Sequence, residues 1–160
     1  MSKVALFAYL AGAIDSDGCI SVKRSTYAMR VRGDAGAPVF SERVMLKHVT
    51  PEVPTLLQDT FGGSLRVDAP STPNGRNLYA WQVTDLRAVE CLKAILPYLR
   101  VKRSQAENCL TLRRLKAKSM KARVAKGRGH AGAAPRPQAL TDEMDALWLR
   151  AKAMNSGART

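Results

Sequence analysis

The chain has 160 residues, 46% of them hydrophobic, which suits one compact domain with a core of its own and excludes a largely disordered chain. Lys and Arg number 26 against 13 acids, a formal net charge of +13. That excess points to a polyanionic partner, nucleic acid first, and no apolar run approaches the length needed to span a bilayer.

The opening MSKVALFAYLAGAIDSDG carries one Lys and a short apolar run, a faint imitation of a secretory signal. It lacks a convincing cleavage site and runs into acids, so an intracellular protein is expected, in a bacterial or phage cytoplasm or an organelle. Cys19, Cys91 and Cys109 are an odd number without close spacing. They read as small core residues of a reducing compartment, not as a disulfide framework or a zinc site.

Residues 4 to 15 are expected to form a helix with no clear polar face, buried all round. From Cys19 to Arg24 the pattern changes to alternation, with Ile20 and Val22 on one face and Ser21 and Lys23 on the other, as in a half-buried strand. A second polar strand is expected through Tyr27 to Arg32, GDAGAP at 33–38 as a loop, and a returning strand from Val39 to Val49. Thr50 reads as an N-cap before Pro51 and Glu52, opening a helix with Val53, Leu56, Leu57 and Phe61 at helical spacing and Gly62-Gly63 at its end. Two more strands follow, Ser64 to Asp68 and Asn77 to Val83, with the turn signal Asn74-Gly75 between them. Asp85 opens a helix that Pro97 closes, and a basic helix is expected from Arg103 to Val124.

Residues 125–139 are rich in Gly, Ala, Pro and Arg and read as a basic linker. They separate a core of residues 1–124 from a C-terminal segment, 140–160. There Thr141 caps a helix whose stripe of Met144, Leu147, Trp148, Ala151 and Met154 is expected to dock on the core.

The segment Tyr9-Leu-Ala-Gly-Ala-Ile-Asp-Ser-Asp-Gly-Cys-Ile-Ser carries the chemistry. Asp15 and Asp17 stand at a helix C-terminus, where the macrodipole disfavours anions by a few tenths to about 1 kcal/mol. Two carboxylates in that place call for a cation, and Mg2+ takes carboxylate, carbonyl and water oxygens. The bland alternative for IDSDG alone is an ordinary helix-to-strand turn. The segment closely resembles the signature of the LAGLIDADG homing endonucleases, with seven of nine motif positions matched and Ala13 and Ser16 departing. The element order agrees, over roughly residues 5 to 122.

The resemblance implies an α+β fold of αββαββα order, a four-stranded antiparallel saddle sheet with helices on one face. It implies a homodimer, since a single motif supplies one active site and cutting both strands needs two. The target is then a long, near-palindromic stretch of double-stranded DNA, and cleavage leaves 5′ phosphates and short 3′ overhangs. The implied cofactor is Mg2+, with Mn2+ substituting and Ca2+ supporting binding without cleavage, and the gene is expected within an intron or other mobile element.

By the same resemblance Asp17 ligates the metal with the backbone carbonyl of Ser16. Ala11 and Gly12 let two copies of the helix touch, and Asp15 caps the partner subunit's helix. Lys102, in PYLRVKRSQA, matches a Lys that enters the active site near the scissile phosphate. His48, with Lys47 as competitor for the position, matches a polar residue that holds the water network.

The polar faces of the strands are the candidates for contacting DNA: Ser21, Lys23, Ser25, Tyr27, Arg30, Arg32, Ser41, Arg43 and Lys47 on the first pair, and Arg66, Asp68, Asn77 and Tyr79 on the second. Arg100 to Arg136 holds twelve Lys or Arg and a single acid, Glu107. Its helix is expected to flank DNA and contact phosphates. The alternatives are a non-cleaving protein of the same fold, either an intron RNA maturase or a DNA-binding regulator, and a generic basic structural protein, which leaves the motif unexplained.

Overall fold

The structure is a computed structural model that describes residues 2–25, 38–70, 72–125, 128–129, 132–133 and 136–157. The expected strand through Tyr27 to Arg32, and with it the candidates Tyr27, Arg30 and Arg32, lies outside the described residues.

The chain opens with helix α1, Lys3–Asp17, started by Ser2, whose Oγ accepts from the Ala5 amide at 3.2 Å. Leu10, Ala11 and Ile14, at helical spacing, are fully buried. Ala8, Tyr9, Gly12 and Ser16 are exposed. The helix is therefore not buried all round, as its apolar sequence predicts. One side packs on the core and the other is left open.

Gly18 ends α1. A Cβ there would lie 2.7 Å from the Ile14 carbonyl oxygen and 2.8 Å from the Ile14 Cα, so glycine alone allows the chain to leave the helix so closely.

Strands β1 (Gly18–Ser25), β2 (Val39–His48), β3 (Ser64–Asp68) and β4 (Leu78–Thr84) form one antiparallel sheet in the order β1-β2-β4-β3. Helix α2 (Glu52–Phe61) joins the two hairpins, and α3 (Asp85–Ile95) and α4 (Arg103–Ala125) follow β4. This is the expected αββαββα order. The register aligns Ile20 with Val44 and Val83, and Leu46 with Trp81 and Leu65. These side chains form the inner face, on which the helices pack. Trp81 is fully buried and donates its Nε1–H to the Gly62 carbonyl at 2.8 Å, pinning the end of α2 to a central strand.

Two expected caps are displaced. Pro51, not Thr50, is the N-cap of α2, and the Thr50 amide instead donates to His48 Nδ1. Helix α5, Gln138–Asn155, begins after Pro137, and Thr141 is buried within it. Between α4 and α5, Arg128–Gly129 and Gly132–Ala133 pair as two short strands, β5 and β6.

Helix α5 lies against α4 and β1. Asn155 Nδ2 donates to the Ile20 carbonyl at 2.9 Å, and Arg24 Nε meets Asp145 Oδ1 at 2.6 Å. A strand at the edge of a sheet presents unpaired backbone groups, and α5 covers part of that edge.

Two cations of the basic helix α4 turn inward to the sheet. Glu42, on the inner face and fully buried, accepts from Arg113 Nη2 at 2.6 Å and Lys116 Nζ at 3.2 Å. Lys116 also reaches Asp85 Oδ1 at 2.8 Å. These two cations stabilise a carboxylate under the sheet, because a buried charge demands a partner more strongly than an exposed phosphate site does.

Candidate active site

The site is organised by the C-terminus of α1. Asp15 turns toward the segment that leads into α4. Its Oδ2 accepts from the Arg100 and Val101 amides at 2.7 and 3.2 Å, and its Oδ1 from the Lys102 amide at 2.8 Å. These donors belong to Asp15's own chain, whereas the family resemblance assigned this carboxylate to a partner subunit's helix. The physical cause is simple: residues 100–102 precede α4 and offer free amides within reach. Burial pushes the Asp15 carboxyl up, but the Arg100, Lys102 and Val101 amides and the Lys102 charge outweigh it and hold it below the usual carboxylate range.

Lys102 returns the contact. Its Nζ donates to the Ile14 carbonyl at 3.0 Å and closely to the Asp15 carbonyl, with the Ser16 carbonyl at 3.5 Å. A cation thus covers the carbonyls at the end of α1, sharing the Ile14 oxygen with the Gly18 amide.

Asp17, the next acid, is exposed, and its Oδ2 accepts from Ser16 Oγ at 3.1 Å. A groove of about 410 Å³ runs along the open side of α1, lined by Ala8, Tyr9, Gly12, Ala13, Ser16, Asp17, Leu46, His48 and Val53. Asp17 and His48, far apart in sequence, share this groove, and Lys102 sits at the same helix end. His48 Nδ1 lies 3.2 Å from both the Thr50 amide and the Thr50 carbonyl and 3.1 Å from Thr50 Oγ1, its role set by the tautomer, and Nε2 has no protein partner among the described residues.

The two expected interface residues part company. A Cβ at Gly12 would meet nothing within 4 Å, so this position opens outward. Ala11 is 0% exposed within its own chain and has no surface to offer a partner. A helix turns 100° per residue, so adjacent small residues cannot both face the same way. Ala8 and Tyr9 share Gly12's open side, and sequence reasoning missed them.

The outer face of the sheet carries the odd-numbered residues of β1 and β2 and the even-numbered residues of β3 and β4. Lys23, Ser25, Ser41, Arg43, Lys47, Arg66 and Asp68 all belong to it. Lys47 and Arg66 each pair with Asp68 at 2.7 Å. These two cations hold the Asp68 carboxyl below its ordinary range.

Ser21 is on this face but only 9% exposed, with its Oγ accepting from Arg43 Nε at 3.2 Å. It supports Arg43 and does not itself stand free. Tyr79 is on the opposite, inner face, aligned with His48 and Val67, and Asn77 precedes β4. The outer positions of β4 include Gln82 and Thr84, which sequence reasoning passed over. The apolar residues Trp81 and Val83 carried the correct parity, and a one-residue slip reverses every side chain of a strand.

Asp17 is the exposed carboxylate of the motif, and Glu52, also exposed, stands near His48 and Thr50. Among the described residues no group of three or more His, Cys, Asp or Glu is placed to hold a metal ion. Among them, too, no helix is long and apolar enough to cross a membrane.

No family model and no curated protein matches the sequence. Solved structures do match in shape. The homing endonuclease I-CvuI, crystallised with a DNA target and Mg with the DNA not cleaved, is 19% identical; the match covers 99% of this chain and 87% of that one, with a TM-score of 0.70. The group I intron-encoded homing endonuclease I-CeuI, complexed with DNA, is 11% identical over 97% of this chain and 70% of its own, with a TM-score of 0.64. The homing endonuclease I-TnaI is 17% identical over 94% and 88%, with a TM-score of 0.57. At these identities the fold is what is shared.

Proposed function

We propose that this chain, which has the fold of the LAGLIDADG homing endonucleases, is a divalent-metal-dependent endonuclease that cuts double-stranded DNA as a homodimer. The observation that carries this reading is the placement of Asp17, Lys102 and His48 about the end of α1, beside a helix face that is uncovered among the described residues.

The uncovered face accounts for the dimer. Ala8 and Gly12 are small and exposed, and the open space over Gly12 admits a second α1 at close backbone approach. Two copies then bring two Asp17 carboxylates together. That donor set fits Mg2+, which is commonly held by one or two carboxylates with water filling the other positions. Asp17 and the Ser16 carbonyl are the residues that would hold the ion, and Asp17 Oδ1 has no protein partner among the described residues. When bound, a divalent cation supplies Lewis acidity at the phosphate and lowers the pKa of water.

The chain's own groups do the rest. Lys102 places a fixed positive charge where negative charge develops on the phosphate. His48, held through Nδ1 by Thr50, offers Nε2 to order water or carry a proton. The outer face of the sheet, with Lys23, Arg43, Lys47 and Arg66, meets the DNA in its major groove, where Arg reads guanine.

The test is selection of cleaved products from a DNA library in Mg2+, with Ca2+ as a binding-only condition. The expected outcome is a long near-palindrome, cut in Mg2+ and bound intact in Ca2+. The Asp17→Asn variant should bind it and not cut. Binding without cut product in either ion would replace nuclease by a DNA-binding regulator, and preferential binding of a folded intron RNA would favour a maturase.

A further inference from the structure

Beyond the sheet face, we propose that the cleft between β1 and the C-terminal helix α5 is a second DNA-contact site, one that takes a backbone phosphate. This rests on the DNA-binding reading above and adds to it a helix to which the sequence assigned only a docking role.

The cleft measures about 440 Å³. One wall is the outer face of β1 and β2, with Ser21, Lys23 and Arg43, and the other is α5, with Trp148, Lys152 and Asn155. It therefore continues the outer face of the sheet past its edge strand. Four cations line it, Lys23, Arg24, Arg43 and Lys152, and no acid does. Arg24 is matched by Asp145. Among the described residues Lys23, Arg43 and Lys152 have no carboxylate within 4.0 Å. Arg43 gives its Nε to Ser21 Oγ, and its two terminal nitrogens have no protein acceptor among the described residues.

The cations are also prearranged. Arg24 and Lys152 both stand over the Trp148 ring, at 5.4 and 4.9 Å from its centroid. Side chains already held in place lose less entropy on binding. The full charge of Lys152 outweighs the partial negative charge of the last turn of α5 on which it sits. A compact, multiply accepting anion fits these separate donors, and DNA following the outer face presents phosphates at such an edge. Contacts of this kind position the duplex without reading its sequence.

The experiment measures binding to the selected target and to an unrelated duplex over a range of salt, in Ca2+. For Lys152→Met, affinity should fall on both duplexes by a similar factor. The slope of log K against log salt should shrink by about 0.9 for each phosphate no longer neutralised, twice that for a twofold dimer. Lys152→Arg should keep the wild-type slope. Lys93→Met, an exposed charge on α3 beneath the sheet, should leave it unchanged.

Wild-type slope in Lys152→Met would overturn the cleft while leaving DNA binding intact. An equal loss in Lys93→Met would overturn it as well, since only net charge would then matter. Absence of DNA binding by the wild-type chain would overturn the DNA-binding reading itself. Thermal unfolding of each variant separates weakened phosphate binding from a damaged fold.

Discussion

Asp15 and Lys102 hold each other's helices: the Asp15 carboxylate accepts the amides of Arg100, Val101 and Lys102 ahead of α4, and the Lys102 ammonium donates to carbonyls at the end of α1. The lock holds Lys102 at the end of α1 that carries Asp17, so a structural carboxylate sets the position of a proposed catalytic cation.

Removing the lock should be visible in stability and in its pH dependence. Asp15→Ala leaves three amides without their acceptor and should cost about 1–2 kcal/mol at neutral pH, as loss of a helix cap does. Because the folded-state pKa of Asp15 is lowered, its contribution is complete above the unfolded value near 3.8 and fades as pH falls through the lowered one. Urea unfolding of wild type and variant should therefore show a constant gap from pH 5 to 7 that narrows below about pH 4. A gap that persisted undiminished at pH 2 would contradict this account.

The division between Gly12 and Ala11 can be separated by size. Gly12→Phe enters open space, so the chain should fold but sediment as a monomer and lose double-strand cleavage. Ala11→Phe overfills a closed core and should cost about 1–3 kcal/mol or more. Analytical ultracentrifugation beside thermal unfolding distinguishes the two, and a dimeric Gly12→Phe would sink the interface.

Thiol chemistry reports on the core. Burial pushes the Cys91 thiol up to about 12, and burial with the nearby Glu42 charge does the same for Cys109. All three cysteines are free, and only Cys19 has surface exposed. A colorimetric thiol reagent at pH 8 should titrate one thiol in the native chain and all three after denaturation. Rapid reaction of a second native thiol would contradict the packing.

Glu42 should be among the most sensitive positions that touch no ligand. Glu42→Ala leaves Arg113 and Lys116 facing a buried space without their shared carboxylate, a loss of about 3–5 kcal/mol in comparable cases. Asp85, also near both cations, offsets part of it. The melting temperature measures this directly, and a change below about 1 °C would mean that the pair is solvated and contributes little.

The sequence by itself determined the order of α1 to α5 and β1 to β4, because apolar spacing of 3.6 and alternation of 2 are local properties of the chain, but it read the stretch holding β5 and β6 as a linker. It also determined the motif and its acids, and pointed to Lys102 and His48. Tertiary structure decided everything that depends on which way a residue faces. An apolar helix of small residues reads the same whether Ala11 or Gly12 turns outward; only its packing on the sheet buries the first and exposes the second. The parity of β4, with Tyr79 inward and Gln82 outward, is fixed by pairing with β2. The cations of α4 are alike in sequence, and a buried Glu42 selects Arg113 and Lys116 among them.

LAGAIDSDG changed most. On composition it offers two equivalent carboxylates at a helix end, and only the family resemblance tells them apart. Once the chain folds, the amides before α4 claim Asp15, because unpaired backbone donors at a helix start bind the nearest anion. Asp17 is left exposed in the groove, and that difference of address is why it, and not Asp15, is the proposed metal ligand.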